Sequence, residues 1–210
     1  MATTKIFKMD DNNIDFDTIR FCAEVIRSGG NVAFPTETVY GLGANAFNEK
    51  ACAKIFAAKR RPPEKALILH MADGIDPADF AIVNDMYYKL KAIYPCGPLT
   101  FVLPRKAVLP EVVTANGDTI AFRFPANKIA KEFIRACGVP IAAPSANISG
   151  NEPPKSAKPV IDNFSGIIDC IIDGGECDIG TPSTIVLLIG EPKILREGTI
   201  SGKEVLECLR

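Results

Sequence analysis

Two segments far apart in the chain carry residue types that can grip anionic oxygen. One is Lys59-Arg60-Arg61-Pro62, followed by Lys65 and His70, with the apolar run Ala66-Leu67-Ile68-Leu69 between the last two. The other is Ala143-Pro144-Ser145-Ala146-Asn147-Ile148-Ser149-Gly150, small hydroxyl and amide residues directly after Pro140-Ile141-Ala142-Ala143. Fixed cations and short polar groups at strand ends describe a site for phosphate or carboxylate oxygens. Neither segment supplies the carboxylate cluster that a cage for a hard cation needs. Arg123 sits between Phe122 and Phe124 on an expected strand. Alternation can turn it into a cleft, where a guanidinium binds a carboxylate through two parallel bonds. The residues alone imply a phosphate- or carboxylate-binding α/β enzyme. Plainer readings stay open: a charge run complementing a helix C-terminus, a structural His70, and Ser145 and Asn147 as turn-formers after Pro144.

The elements that must position these residues alternate along the chain without a long linker. Periodicity predicts helices over 17–28, from about 48 to the Lys59–Arg61 cations, and over 84–94, 127–137 and 201–209. Gly29-Gly30 stops the first, and Ser201 with Glu204 makes a capping box for the last. Strands are expected at 31–34, 66–70, 99–103, 119–123, 140–143, 168–172, 184–189 and 193–196. The Pro/Gly-rich stretch 144–159 reads as a loop inside the domain. The expectation is one α/β domain over residues 1–210.

Composition excludes several classes. With 47% apolar and 23% charged residues, the chain is of ordinary globular make-up. A net charge of −1 argues against a chain whose main work is coating nucleic acid. The seven cysteines, at 22, 52, 96, 137, 170, 177 and 208, form no CxxC pair and mostly lie in apolar segments. They read as reduced core residues of an intracellular protein. No apolar h-region opens the chain and no stretch approaches membrane-span length, so a soluble, cytoplasmic protein without membrane contact is expected.

Motif matches thin out on inspection. Gly41-Leu42-Gly43-Ala44-Asn45-Ala46 fits the dinucleotide fingerprint by letter, but its glycines lie too far past the preceding strand. No P-loop occurs, and Asn147-Ile148-Ser149 is a glycosylation sequon by letter only. A single histidine, His70, excludes multi-histidine metal sites, and no G-x-S-x-G elbow is present.

The whole set of strings is more specific than any one of them. Val32-Ala-Phe-Pro-Thr-Glu-Thr-Val-Tyr-Gly-Leu-Gly-Ala-Asn-Ala46 resembles the opening signature of the YrdC family, the L-threonylcarbamoyladenylate synthases. So do Lys59-Arg-Arg-Pro-Pro-Glu-Lys-Ala-Leu-Ile-Leu-His70, Gly97-Pro-Leu-Thr-Phe-Val-Leu103, Ala121-Phe-Arg-Phe-Pro125 and Pro140–Gly150. Ser183-Thr-Ile-Val186 and Ile194-Leu-Arg-Glu-Gly198 complete a match running in order from about residue 17 onward.

That resemblance implies a twisted, mixed α/β sheet flanked by helices, with a large, basic, concave cavity. It implies a nucleotidyltransferase that joins L-threonine, bicarbonate or CO2, and ATP into threonylcarbamoyl-AMP and pyrophosphate. The product serves the threonylcarbamoylation of adenosine 37 in tRNA. Carried over residue by residue, the catalytic Lys-x-Arg and Ser-x-Asn pairs fall on Lys59, Arg61, Ser145 and Asn147. ATP contacts fall on Arg61, Lys65, Thr119, Ser145, the backbone near Pro153, and Arg196, and threonine contacts on Thr38, His70, Arg123, Ala143 and Ser183. Position 65, often asparagine in relatives, is lysine here, and Ala66 stands where many have proline. Mg2+ is expected on phosphate oxygens and water, with no protein metal site. The chain resembles the short, single-domain form, which implies separate proteins that transfer the product to tRNA. Relatives described as binding double-stranded RNA keep a second class open, an RNA- or tRNA-binding module with an incidental nucleotide site. A third is the carbamoyl-phosphate chemistry of the HypF hydrogenase-maturation proteins, whose chains are longer and carry acylphosphatase and zinc-finger segments missing here.

Overall fold

The computed structural model describes residues 3–210. The apolar run after Gly29-Gly30 forms β2 (Val32–Phe34), buried throughout. It pairs antiparallel with β3 (Gly41–Asn45) on one side and parallel with β8 (Cys170–Asp173) on the other. β1 (Lys5–Lys8) adds a parallel edge to β8. From β3 the sheet continues through β7 (Ile141–Ala142), β4 (Ile68–His70), β6 (Thr119–Arg123), β5 (Leu99–Pro104), β9 (Thr184–Leu187) and β10 (Lys193–Arg196). The order β1-β8-β2-β3-β7-β4-β6-β5-β9-β10 mixes parallel and antiparallel pairs in one sheet.

Both faces of this sheet are covered. On one, α1 (Phe16–Arg27) and α5 (Lys128–Cys137) set Ile19, Ile26, Phe133 and Ile134 against Phe34 and Ile141. On the other, α2 (Glu49–Lys59), α3 (Asp85–Ile93), α4 (Glu111–Thr114), α6 (Ala157–Phe164) and α7 (Gly202–Glu207) pack Ile55, Leu90, Val113, Phe164 and Val205 against Leu42, Leu69, Phe101 and Phe122. The helices begin where the sequence offers caps. Asp15 accepts from Asp17 and Thr18, Asn48 from Ala51, and Asn127 from Ala130.

Several elements depart from the expectations, among them the short helix α4, which the periodicity did not predict. β1 is a short, exposed edge whose pairing depends on β8, far away in sequence. β3 is built from Gly41, Leu42, Gly43, Ala44 and Asn45, residues of poor strand propensity. Their small size is what fits: a Cβ on Gly43 would lie 2.6 Å from Ile141 Cγ2 and 2.9 Å from Phe34 Cε1. Gly41–Asn45 is therefore a buried strand rather than a phosphate-binding turn. The stretch read as a loop to 159 ends in α6, which accepts Pro159 in its first turn, where no backbone N–H is needed. The capping box on α7 does not form. Ser201 makes no side-chain cap bond, and Glu197 Oε2 accepts from the Gly202 N–H instead, at 2.9 Å.

Candidate functional site

β4 and β6 lie parallel in the middle of the sheet with His70 opposite Arg123. Ala66, Ile68 and His70 alternate with the core residues Leu67 and Leu69, so they share the face turned away from the larger core. β7 runs antiparallel beside β4 and brings Ala143 against Ile68, its N–H bonding the Ile68 carbonyl at 2.9 Å. A cleft of about 610 Å³ lies along this face. It is lined by Thr38, Val39, Tyr40, Gly41, Arg61, Ala66, Ile68, His70, Arg123, Ala143, Pro144, Ser145, Pro153, Pro182, Ser183 and Arg196. Thr38, Arg61, His70, Arg123, Ala143, Ser145, Pro153, Ser183 and Arg196, scattered along the sequence, thus meet around one space.

Arg123 forms the floor. It is 4% exposed, and its guanidinium is held from three sides. Nε donates to His70 Nε2 at 3.0 Å, Nη1 to Glu37 Oε1 at 3.1 Å, and Nη2 to Thr36 Oγ1 at 2.9 Å. Of its five N–H groups, one remains on each terminal nitrogen for a ligand. Because His70 Nε2 accepts, the imidazole is neutral and carries its proton on Nδ1, which faces the Ile68 carbonyl at 3.3 Å. Burial first, and then the Arg123 charge, hold His70 well below the usual histidine range.

The hydroxyls beside Arg123 form a directional chain. Thr36 Oγ1 donates to the Val39 carbonyl at 2.7 Å, so across its 2.9 Å contact with Thr38 the Thr38 hydroxyl is the donor. Thr38 therefore faces the cleft as an acceptor, suited to an ammonium or hydroxyl donor. On the opposite wall Arg196 donates to the Ser183 carbonyl through Nε (3.0 Å) and Nη2 (2.8 Å), and Nη2 reaches Ser183 Oγ at 3.1 Å. Ser183 Oγ also meets Thr100 Oγ1 at 2.8 Å.

Arg61 reaches the rim because α2 ends in an unusual turn. Arg60 takes a left-handed conformation, φ 51°, closing the helix with bonds to the Ala57 and Phe56 carbonyls. For a residue with a Cβ this costs about 1–2 kcal/mol. Arg61 then lies across the following loop, donating to Lys65 O at 3.1 Å and Ala66 O at 2.7 Å. Among the described residues neither Arg61 nor Arg196 has a carboxylate within ion-pair reach.

The other predicted site residues stand elsewhere. Lys59 is 1% exposed and lies behind the cleft wall. Its ammonium donates to the carbonyls of Ser145 and Asn147, and its own carbonyl accepts from Ser149 N at 2.8 Å. Burial, and then the neighbouring Arg61 charge, push its pKa down to about 7. Asn147 staples the same loop: Oδ1 accepts from Ser145 Oγ, and Nδ2 donates to Ile148 O and Asn151 O. Lys65 is exposed and contributes its carbonyl to Arg61 rather than lining the cleft. Thr119 opens β6, about 13 Å along the strand from Arg123, half-buried and outside the lining. Sequence reasoning passed over Glu37 and Thr36. Their one signal was an acidic residue inside an otherwise uncharged, apolar-flanked run.

Among the described residues no three His, Cys, Asp or Glu side chains gather as a metal site, and all seven cysteines are free thiols. Among the described residues no helix is long and apolar enough to cross a membrane.

Fold and site together define a mixed α/β protein with an arginine-floored cleft. The Sua5/YciO/YrdC family model, described as "Telomere recombination", matches residues 24–198, and the chain belongs to that family. It is 48% identical over 190 residues to the threonylcarbamoyl-AMP synthase of Pyrococcus abyssi, covering 89% of this chain and 56% of that protein. To the threonylcarbamoyl-AMP synthase of Bacillus subtilis it is 42% identical over 204 residues, covering 95% and 58%. The solved structure of P. abyssi Sua5 complexed with L-threonine superposes with a TM-score of 0.92 at 44% identity, covering 99% of this chain and 61% of that one. The chain thus spans a little over half the length of these relatives.

Proposed function

We propose that this chain forms threonylcarbamoyl-AMP from L-threonine, bicarbonate or CO2, and ATP, releasing pyrophosphate, for the modification of adenosine 37 in tRNA. The observation that carries the reading is the division of charge in the cleft. A buried Arg123 with one N–H free on each terminal nitrogen forms the floor, while two arginines without carboxylate partners among the described residues stand at the rim. An amino-acid carboxylate suits the first and a polyphosphate the second. The curated names of the relatives and the L-threonine complex of P. abyssi Sua5 support the same assignment. The continuous sheet supports treating the chain as one catalytic unit.

In this reading Arg123 holds the threonine carboxylate, and Thr38, Ser183 and the Ala143 backbone meet its amine and hydroxyl. His70 acts by orienting Arg123. The amine captures CO2 as a carbamate, losing a proton to solvent, and a carbamate oxygen attacks the α-phosphorus while pyrophosphate leaves. Arg61 and Arg196 neutralise phosphate charge, and Ser145 and the Pro153 backbone border the nucleotide. Lys59 and Asn147 serve by shaping the Ser145 loop, and Lys65 and Thr119 would reach ATP only from outside the lining. Positioning and fixed charge carry the acceleration. Mg2+ would arrive on the nucleotide phosphates as part of the substrate, since the described residues offer it no cage. Separate proteins would carry the product to tRNA.

The test is pyrophosphate release from ATP. Release that requires L-threonine and bicarbonate together supports the reading. Release with bicarbonate alone, or with carbamoyl phosphate in place of both, refutes it.

A further inference from the structure

The Glu37 carboxylate does not line the cleft, yet among the described residues it is the one acidic group bonded to the cleft's buried arginine. Both partners of that pair are nearly sealed, with side chains 4% and 5% exposed. Glu37 Oε1 accepts from Arg123 Nη1, and Oε2 accepts from the Ala126 N–H at 2.9 Å, so both oxygens are committed to the wall. His70 adds no charge, because its Nε2 accepts from Arg123. The floor therefore carries one positive and one negative charge, while the rim carries the uncompensated charges of Arg61 and Arg196. A neutral floor beside a cationic rim sorts ligands by charge. A zwitterion loses nothing to Glu37 overall, because its ammonium offsets the repulsion felt by its carboxylate. A simple anion on Arg123 feels that repulsion in full.

We propose that Glu37 is a specificity-determining residue acting through Arg123, selecting a zwitterionic amino acid over an anion of the same shape. This rests on the reading that the floor takes an amino acid. A carboxylate bound across the guanidinium would stand roughly 7 Å from the Glu37 charge. At an effective dielectric of about 20 that repulsion is worth a discrimination of about tenfold or more.

The experiment is calorimetric titration, without nucleotide, of L-threonine and of the 2-hydroxy acid in which a hydroxyl replaces its ammonium. Wild type should bind L-threonine at least tenfold more tightly than the hydroxy acid. Glu37→Gln should shrink that ratio at least tenfold, mainly by tightening the hydroxy acid. Glu37→Asp, which keeps the charge, should weaken both ligands while preserving most of the ratio. A merely structural Glu37 would move both affinities together, so a folded Glu37→Gln protein with the wild-type ratio overturns the proposal. If Glu37→Gln does not fold, the neutral Glu37→Met variant is read in the same way, and equal binding of the two ligands by wild type overturns the proposal in either case. Wild-type protein that binds neither ligand, while still binding ATP, overturns the amino-acid reading and this inference with it. A wild type that binds threonine beside a variant with an unchanged ratio overturns this inference alone.

Discussion

Replacing Lys59 with methionine isolates what a buried ammonium does behind a ligand site. Methionine keeps most of the apolar stem but removes the donor that ties the Ser145 and Asn147 carbonyls. Leaving a buried acceptor unpaired costs about 1–3 kcal/mol. Two acceptors, offset by no longer burying a charge, give a net loss of about 2–4 kcal/mol at pH 7. The pH dependence follows from the depressed pKa, about 7 in the fold against the ordinary lysine value of 10.5. Between those values the unfolded chain binds more protons at this position, so stability rises with pH. The contribution is full above 10.5 and is lost as pH falls through about 7. From pH 7 to 9 the wild type should gain about 2 kcal/mol relative to Lys59→Met, at about 1.36 kcal/mol per unit once the native amine is neutral. Urea unfolding followed by far-UV circular dichroism reads this directly, the chain having no tryptophan. A stability loss below about 0.5 kcal/mol would refute the strap. A gap between the two proteins that narrows as pH rises would show that the fold holds the ammonium form instead.

His70 is the only histidine, so its imidazole gives a single set of resonances. Those shifts should stay flat from pH 5 to 8, and a midpoint near the ordinary histidine value would contradict the Arg123 contact. Arg61→Ala and Arg196→Ala, both at the rim, should fold normally while pyrophosphate release falls about a hundredfold or more. Near-normal turnover in either would leave that arginine a solvated surface cation. L-threonine should support turnover well, L-serine weakly and L-valine hardly at all, because Thr38 and Ser183 present hydrogen-bonding groups that valine leaves unpaired. Equal rates with valine would remove the polar pocket from the account.

The sequence by itself determined most of the layered α/β order, because long amphipathic helices and apolar strands declare themselves through periodicity. Helix 127–137 and strand 119–123 appear nearly as expected, as α5 and β6. It also picked out several residues that line the cleft, Arg61 and Ser145 among them, because the cations and the Pro144–Gly150 string are local features. Tertiary structure alone decided three things. It made a strand of Gly41–Asn45, whose small residues are selected by the close approach of Ile141 and Phe34 rather than by propensity. It divided the cations by burial, sending Lys59 behind the wall and Arg61 to the rim. Lys59 is the last residue of α2 and Arg61 follows a left-handed Arg60, a divergence over two residues that no spacing rule reveals. And it matched Arg123 with Glu37, Thr36 and His70 across three different strands and loops, so the charge state of the floor is a property of packing.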